Sequence, residues 1–396
     1  MTISTNTSPL RGLKVIEFSH MIMGPSVGLI LADLGAEVIK VEPIGGDKTR
    51  RLKGAGAGYF PMFNRNKKSV CIDLKSEKGK NLAKRLIKTA DIFIENMRPG
   101  ALDKLGFGYE TLSSENPRLI YCSEKGFLSG PYENRTALDE IAQMMGGLAY
   151  MTGPPGRPLR AGSSVIDITG GMFGVIGILS ALRERDLTGK GCQVTASLFE
   201  TTVFMVGQHM AQKSVTGQAA KPMPARTSAW AIYDVFDTLD EEKVFVGVVS
   251  DTQWPIFCKT FGFNDWLNDK TLSENNDRVA RRDEIITIVR QTFARFEKQK
   301  LVAELEKAGL PYAPITRPED LFEDPHLTES GGLIELTLPN GDDTRLPALP
   351  IEFDGERPGR SISPPLPGAH TRDVLEAYDI DDDEIEKMIS ETVIGA

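Results

Sequence analysis

A 396-residue chain with 40% hydrophobic and 26% charged residues has the make-up of a globular protein long enough for two or three domains. Its 46 basic against 55 acidic residues leave a formal charge of −9, which argues against nucleic acid and anionic membranes as partners. An anionic ligand would need a local basic pocket. The dispersed Cys71, Cys122, Cys192 and Cys258 fit no disulfide framework, and the four scattered histidines have no metal-site spacing. The opening MTISTNTSPLRG lacks the apolar core of a signal sequence, and no later run reaches ~18 uninterrupted apolar residues. The expected compartment is the cytoplasm.

Residues 13–18 (LKVIEF) read as a strand, followed by the turn-rich HMIMGPS, a helix over 26–34 and a second strand over 36–42. This order predicts a right-handed βαβ unit. The connection carries Gly24-Pro25 and no G-x-G-x-x-G, so the dinucleotide fingerprint is missing. After a glycine-rich loop the pattern continues with strands over 69–74, 90–96 and 119–123, a helix starting near Ser76 and a helical turn over 99–105. Strands alternating with helices predict a doubly wound α/β domain. Lys75, Lys104 and Lys125 each follow a strand or short turn, where the carboxyl ends of parallel strands gather. They read either as phosphate partners or as solvated surface residues. A helix over 134–147 would put Leu138, Ile141 and Met145 on an apolar side, with Asp139 and Gln143 sharing a face.

The stretch 161–191 (AGSSVIDITGGMFGVIGILSALRERDLTGKG) organises the chain. Met172, Val175, Ile176, Leu179 and Leu182 suggest the buried face of a helix that ends with Arg183, Arg185 and Gly189. Asp167 falls at or beside its N-cap, with Gly170 and Gly171 leaving room above the first turn. Locally, Asp167 reads as an ordinary cap or as a carboxylate nucleophile in a glycine-walled cleft open to a bulky thioester. A strand over 192–198 and a helix over 200–213 follow. Near residue 220 a proline-bearing linker begins, leading to a hairpin (230–237 and 243–249), amphipathic helices and a short extended PYAPI. These predict a smaller α+β domain over 225–325, after a large domain over 1–220. Residues 330–396 then form a linker and polar terminal helices that pack back on the first domain.

Several stretches together resemble the class III CoA-transferases, the formyl-CoA transferase and carnitine CoA-transferase (CaiB/BaiF) family. They are LRGLKVIEFS…GP, LADLGAEVIKVEP…GD, NRNKKSVCIDLKS, ADIFIENMRPGALDKLGFGYETL, NPRLIYCSEKGF, VIDITGGMFGVIGILSALRERDLTGKGCQV and GLPYAPI, in the family order over nearly the full length. The resemblance implies a Rossmann-like large domain built from both chain ends, a small domain between, and two subunits interlocked as a homodimer. It places the catalytic aspartate on Asp167. This group would attack an acyl-CoA thioester and pass through aspartyl anhydride and aspartyl-CoA intermediates. It also places Asp139 near the active centre. CoA contacts fall on His20, Met21, Ile22 and Met23, on Leu74 and Lys75, on Asn96, Met97 and Arg98, and on Lys104 and Leu105, with Lys125 close by. CoA enters as part of the substrate, and no other cofactor is implied.

The sequence departs from the formyl-CoA transferases before the first small-domain strand. Those enzymes carry a run of glycines there, whereas KPMPARTSA has none. Gly170 and Gly171 are expected to admit the substrate. Arg160 and Arg226 are candidates to pair with the distal carboxylate of a dicarboxylic acid, or else ordinary surface ion pairs. Succinyl-CoA as donor and a C4–C5 dicarboxylate as acceptor follow from the first of these. The alternatives are an α-methylacyl-CoA racemase, which needs a histidine where Leu138 stands, and a non-catalytic acyl-CoA-binding protein.

Overall fold

The computed structural model describes residues 8–226, 228–359 and 361–395. Seven residues of the opening segment, and Thr227 within KPMPARTSA, lie outside the described residues. Strand β1 (Lys14–Phe18) leads through a tight loop into helix α1 (Met23–Asp33) and back to β2 (Glu37–Glu42). Strands β3 (Lys67–Ile72), β4 (Ile92–Glu95) and β5 (Ile120–Lys125) follow, with α2 (Glu77–Lys88) between β3 and β4. Helix α2 starts where the sequence predicts, with the Ser76 hydroxyl accepting the Gly79 N–H at 3.0 Å. Next come α3 (Asp139–Met145), α4 (Val165–Thr188), β6 (Gln193–Ser197) and α5 (Leu198–Thr216).

The strands order as β3-β2-β1-β4-β5-β6, all parallel, and the C-terminal strand Ile394–Gly395 adds antiparallel to β3. The central strands are buried on both faces, which explains why VIEF and IFIE read as continuous rather than alternating runs. One face packs Phe18, Phe93, Leu86 and Tyr121 together with Val374, Leu375, Ile385 and Met388. Those last four come from the terminal helices Thr371–Glu376 and Asp382–Ser390. The other face packs Val15, Val38 and Ile94 against Val27 and Leu31 of α1 and Val175 and Ile178 of α4. A hairpin of Leu333–Thr337 and Asp343–Pro347 precedes the terminal helices.

The chain divides into two compact units, residues 1–224 with 325–396, and residues 225–324. The second unit holds an antiparallel sheet of β7 (Ile232–Asp237), β8 (Lys243–Val248) and β9 (Tyr312–Pro314). Helices α6 (Gln253–Phe261), α7 (Arg282–Phe293) and α8 (Lys298–Ala308) cover it around Phe236, Phe257, Phe293 and Leu301.

Two helices differ from their sequence reading. Helix α3 spans only 139–145; Asn134 and Arg135 lie in a turn, and the chain is extended at Leu138 just before the helix. Leu138 and Met145 are exposed while Asp139 and Gln143 are buried. The polar pair turns inward because it has backbone donors and side chains to satisfy there. Helix α4 starts two residues before Asp167, which therefore sits in the first turn rather than before it. Its inward face is small: Gly170, Gly171, Gly174, Val175, Ile178 and Ala181. Met172, Ile176 and Leu179 point outward, with exposures of 48%, 56% and 39%. By length and composition α4 is apolar enough to cross a membrane. Here it lies against α1, β5 and β6.

Candidate active site

Asp167 is half-buried in the first turn of α4, and its position is fixed from below by Asp139. Asp139 Oδ2 accepts the backbone N–H groups of Ile166 at 2.9 Å and of Asp167 at 3.2 Å. It thus caps from a distance the helix that Ser164 leaves without a side-chain cap. Asp139 Oδ1 accepts Gln143 Nε2 at 2.5 Å, and Gln143 Oε1 accepts the Ala161 N–H at 2.9 Å. One polar cluster therefore ties α3, the 161 loop and the start of α4. Burial pushes the Asp167 carboxyl up to about 7; Asp139 and Glu140 push the same way, against a weaker pull from Arg160. Near neutrality Asp167 is a mixture of acid and carboxylate, and the carboxylate is more basic than an exposed one.

Asp167 opens into a cleft of about 530 Å³. Of the residues singled out in the sequence, His20, Met21, Ile22, Met23, Asn96, Met97, Arg98, Lys125 and Asp139 line the same cleft. They come from the loop after β1, the loop after β4, the end of β5 and the start of α3. This is the carboxyl edge of the parallel sheet, where such folds bind ligands.

The 19–22 loop is held by a buried ionic cluster. Lys40 Nζ donates to the Ser19 carbonyl at 2.6 Å and lies 3.3 Å from Glu17 and 3.4 Å from Asp47. Lys67 Nζ lies 2.8 Å from Glu17 and donates to the Pro25 carbonyl at 2.9 Å. Burial lowers the Lys67 ammonium to about 8, opposed by Glu17. Above the cluster His20 and Asn96 exchange two hydrogen bonds, at 3.0 and 2.8 Å. The Met21 N–H reaches Thr49 Oγ1 at 3.1 Å, with Met21 in the left-handed region at φ 63°. The loop is preorganised.

Other sequence candidates lie elsewhere. Leu74 and Leu105 pack, with Met97, on the edge of the main core, and Lys75 and Lys104 are exposed beyond β3 and β4. None of the four is on the cleft wall. Gly170 and Gly171 do not line it either. A Cβ on Gly170 would lie 2.6 Å from Met23 Cε, and one on Gly171 would lie 2.8 Å from the Met23 carbonyl oxygen. Their job is the close crossing of α1 and α4. Arg160 is taken up by Glu140, with a 3.6 Å contact to Asp139, so it is not a free partner for a substrate carboxylate. Arg226 belongs to the second unit, where its guanidinium lies 6.0 Å over the Tyr233 ring.

The sequence reading missed Tyr59, which opens the short helix Tyr59–Phe63, and Asn134, Arg135 and Thr136, which line the cleft from the turn before α3. It also missed Glu124, a cleft residue on β5 that is only 3% exposed. The available signal was a second charged residue beside Lys125 inside an otherwise apolar strand. Lys125 itself pairs with Glu95 at 2.6 Å and donates to the Met97 carbonyl at 3.1 Å.

A carboxylate tuned to neutrality, at a helix start over the carboxyl edge of a parallel sheet, defines an α/β enzyme cleft. Residues 10–371 match the sequence signature of CoA-transferase family III. A succinyl-CoA:glutarate CoA-transferase from Mus musculus is 32% identical over 394 residues, covering 98% of this chain and 90% of the mouse protein. An acetyl-CoA:oxalate CoA-transferase from Acetobacter aceti is 35% identical over 363 residues, covering 89% of this chain and 92% of that one. The crystal structure of a CaiB/BaiF family protein from Brucella suis superposes with a TM-score of 0.83 at 34% identity, covering 94% of this chain and all of that one. The chain belongs to CoA-transferase family III and is an enzyme of that class.

Proposed function

We propose that the enzyme moves CoA from an acyl-CoA to a free carboxylic acid through covalent intermediates on Asp167. The observation that carries this reading is the half-buried, basic Asp167 carboxylate at the wall of the cleft. Asp167 attacks the thioester carbonyl, the C–S bond breaks, and CoA leaves as a thiolate while an aspartyl–acyl anhydride remains. The thiolate attacks the aspartyl carbonyl, which gives an aspartyl-CoA thioester and frees the donor acid. The acceptor carboxylate attacks that thioester, expelling the thiolate and forming a second anhydride. The thiolate then takes the new acyl group and Asp167 is restored. No proton has to be supplied, which suits a site whose reacting partners are all anions.

CoA would run from the cleft along the carboxyl edge of the sheet. His20–Met23 and 96–98 form the near part of its path, and Leu74, Lys75, Lys104 and Leu105 the far rim. A donor such as succinyl-CoA and a C4–C5 dicarboxylate acceptor fit the cations on the cleft wall. Arg98 and Arg135 have no ion-pair partner among the described residues, and they replace Arg160 and Arg226 as candidates for the distal carboxylate. The mouse relative, named for succinyl-CoA and glutarate, supports this choice. The two units fit a large and a small domain. An interlocked homodimer in the cytoplasm accounts for the outward apolar face of α4 and α5, where Phe204 is 74% exposed, Ile176 56% and Met210 59%.

The test incubates the protein and its Asp167→Ala variant with succinyl-CoA and a panel of free acids, and follows new CoA esters by mass spectrometry. Exchange lost in the variant supports the reading. Deuterium uptake at the α-carbon of a branched acyl-CoA, without exchange, would instead make it a racemase.

A further inference from the structure

Glu124 has no place in that chemistry, yet the fold is cut to hold it. Its side chain leaves β5 toward α4, and Oε1 accepts the Cys122 thiol at 3.2 Å. A Cβ on Gly174 would lie 2.0 Å from the same Oε1, so the helix carries a glycine where the carboxyl nests. Oε2 is buried without a hydrogen-bond partner among the described residues, and the residue lines the cleft that holds Asp167. A purely structural position of this kind is better filled by an apolar side chain, because a buried, half-satisfied carboxyl is costly.

We propose, building on the transferase reading above, that Glu124 determines specificity: its free Oε2 hydrogen-bonds a hydroxyl on the acid activated at Asp167. The enzyme then favours hydroxy acids over their deoxy counterparts. A hydroxyl suits this position better than a second carboxylate, because Asp167, Asp139 and Glu140 already make this end of the cleft acidic. Lys125, the adjacent cation, is turned to Glu95 and the Met97 carbonyl. Burial pushes the Glu124 carboxyl up to about 8; the hydrogen bond from the Cys122 thiol is the main opposing effect, and Glu95 adds to the rise. It is therefore largely a neutral acid near pH 7, able to donate to a hydroxyl oxygen. A site built to pair a substrate hydroxyl penalises the analogue that lacks it, because its own polar group is then left buried and unpaired.

The experiment measures kcat/KM with succinyl-CoA as donor and the matched acceptors glutarate and 2-hydroxyglutarate, each enantiomer separately. It uses wild type, Glu124→Val and Glu124→Gln. The valine is β-branched, suits the strand and clears Gly174. The amide keeps the shape and both hydrogen-bonding capacities. Wild type should prefer one hydroxy acid at least tenfold, Glu124→Val should bring that ratio toward one, and Glu124→Gln should keep most of it. The ratio is the readout, since a merely structural role would lower both rates together and leave it unchanged. No preference in wild type, or an unchanged ratio in the folded valine variant, overturns the proposal. No transfer to any acid by wild type would sink the transferase reading itself, and this inference with it.

Discussion

Asp139 holds the first turn of the helix that carries Asp167 and, from the same place, raises the basicity of the Asp167 carboxyl. Its Oδ2 takes the N–H groups of Ile166 and Asp167, while its charge disfavours ionisation of the Asp167 side chain. Asp139 is 4% exposed with both oxygens occupied, so it positions the reacting group rather than reacting.

Asp139→Asn should therefore keep an acceptor for the helix but remove the charge. The Asp167 pKa should fall and the acid limb of the pH–rate profile should move below its wild-type midpoint near pH 7. Asp139→Ala should in addition lose the cap, at a cost of about 1 kcal/mol in stability. A pH profile of single-turnover transfer checks the first, and urea unfolding the second. An unmoved acid limb in the Asn variant would separate Asp139 from the tuning of Asp167.

Asp167 also makes stability depend on pH. Its folded pKa, about 7, is raised above the unfolded value of 3.8, so the folded state binds more protons between the two. Stability from this group is fully present below pH 4 and is lost as pH rises through 7. Asp167→Asn, which cannot ionise, should melt higher than wild type at pH 8 and show no advantage at pH 4. Equal melting shifts at both pH values would show that ionisation of Asp167 is not the cause.

The crossing of α1 and α4 leaves no room for a side chain at residue 171. Gly171→Ala should destabilise the protein by roughly 1–3 kcal/mol, because the new methyl meets the Met23 backbone and Ser26 Cβ rather than a flexible tip. Gly162→Ala, at a position with open space, should be neutral within about 0.5 kcal/mol. Thermal or urea unfolding of the pair checks this.

The exposed apolar face of α4 and α5 should disappear in a dimer. Wild type should sediment at twice the chain mass, and Ile176→Glu with Phe204→Glu should give monomers or aggregate. A wild-type monomer at micromolar concentration would contradict the interlocked assembly.

Much of the fold was legible because its signals are local. Ser76 caps α2, Gly189 ends α4 in the left-handed conformation at φ 76°, and the strand runs of β1 to β5 are continuous because both faces are covered. Helix faces were less legible. The bulk on α4 suggested that Met172, Ile176 and Leu179 point inward, but glycines and alanines take the close-packed side and leave the large side chains out. Position after a strand end pointed to Lys125, and the family resemblance pointed to His20 and Asn96; all three line the cleft with Asp167. The site was not legible where long-range hydrogen bonds decide, as with Gln143, or where a side chain's worth depends on a glycine fifty residues on, as with Glu124 and Gly174.

The central claim is that Asp167 carries the acyl and CoA groups covalently. The most direct test is rapid quench after mixing with succinyl-CoA, then tryptic mapping. The peptide covering 161–183 contains one carboxyl side chain, Asp167, so an adduct on a side-chain carboxyl there has one possible site. The account predicts a CoA thioester mass on that peptide, converted by hydroxylamine to a hydroxamate and missing in Asp167→Asn. Transfer that proceeds while this peptide stays unmodified, or an adduct on another peptide, would contradict it.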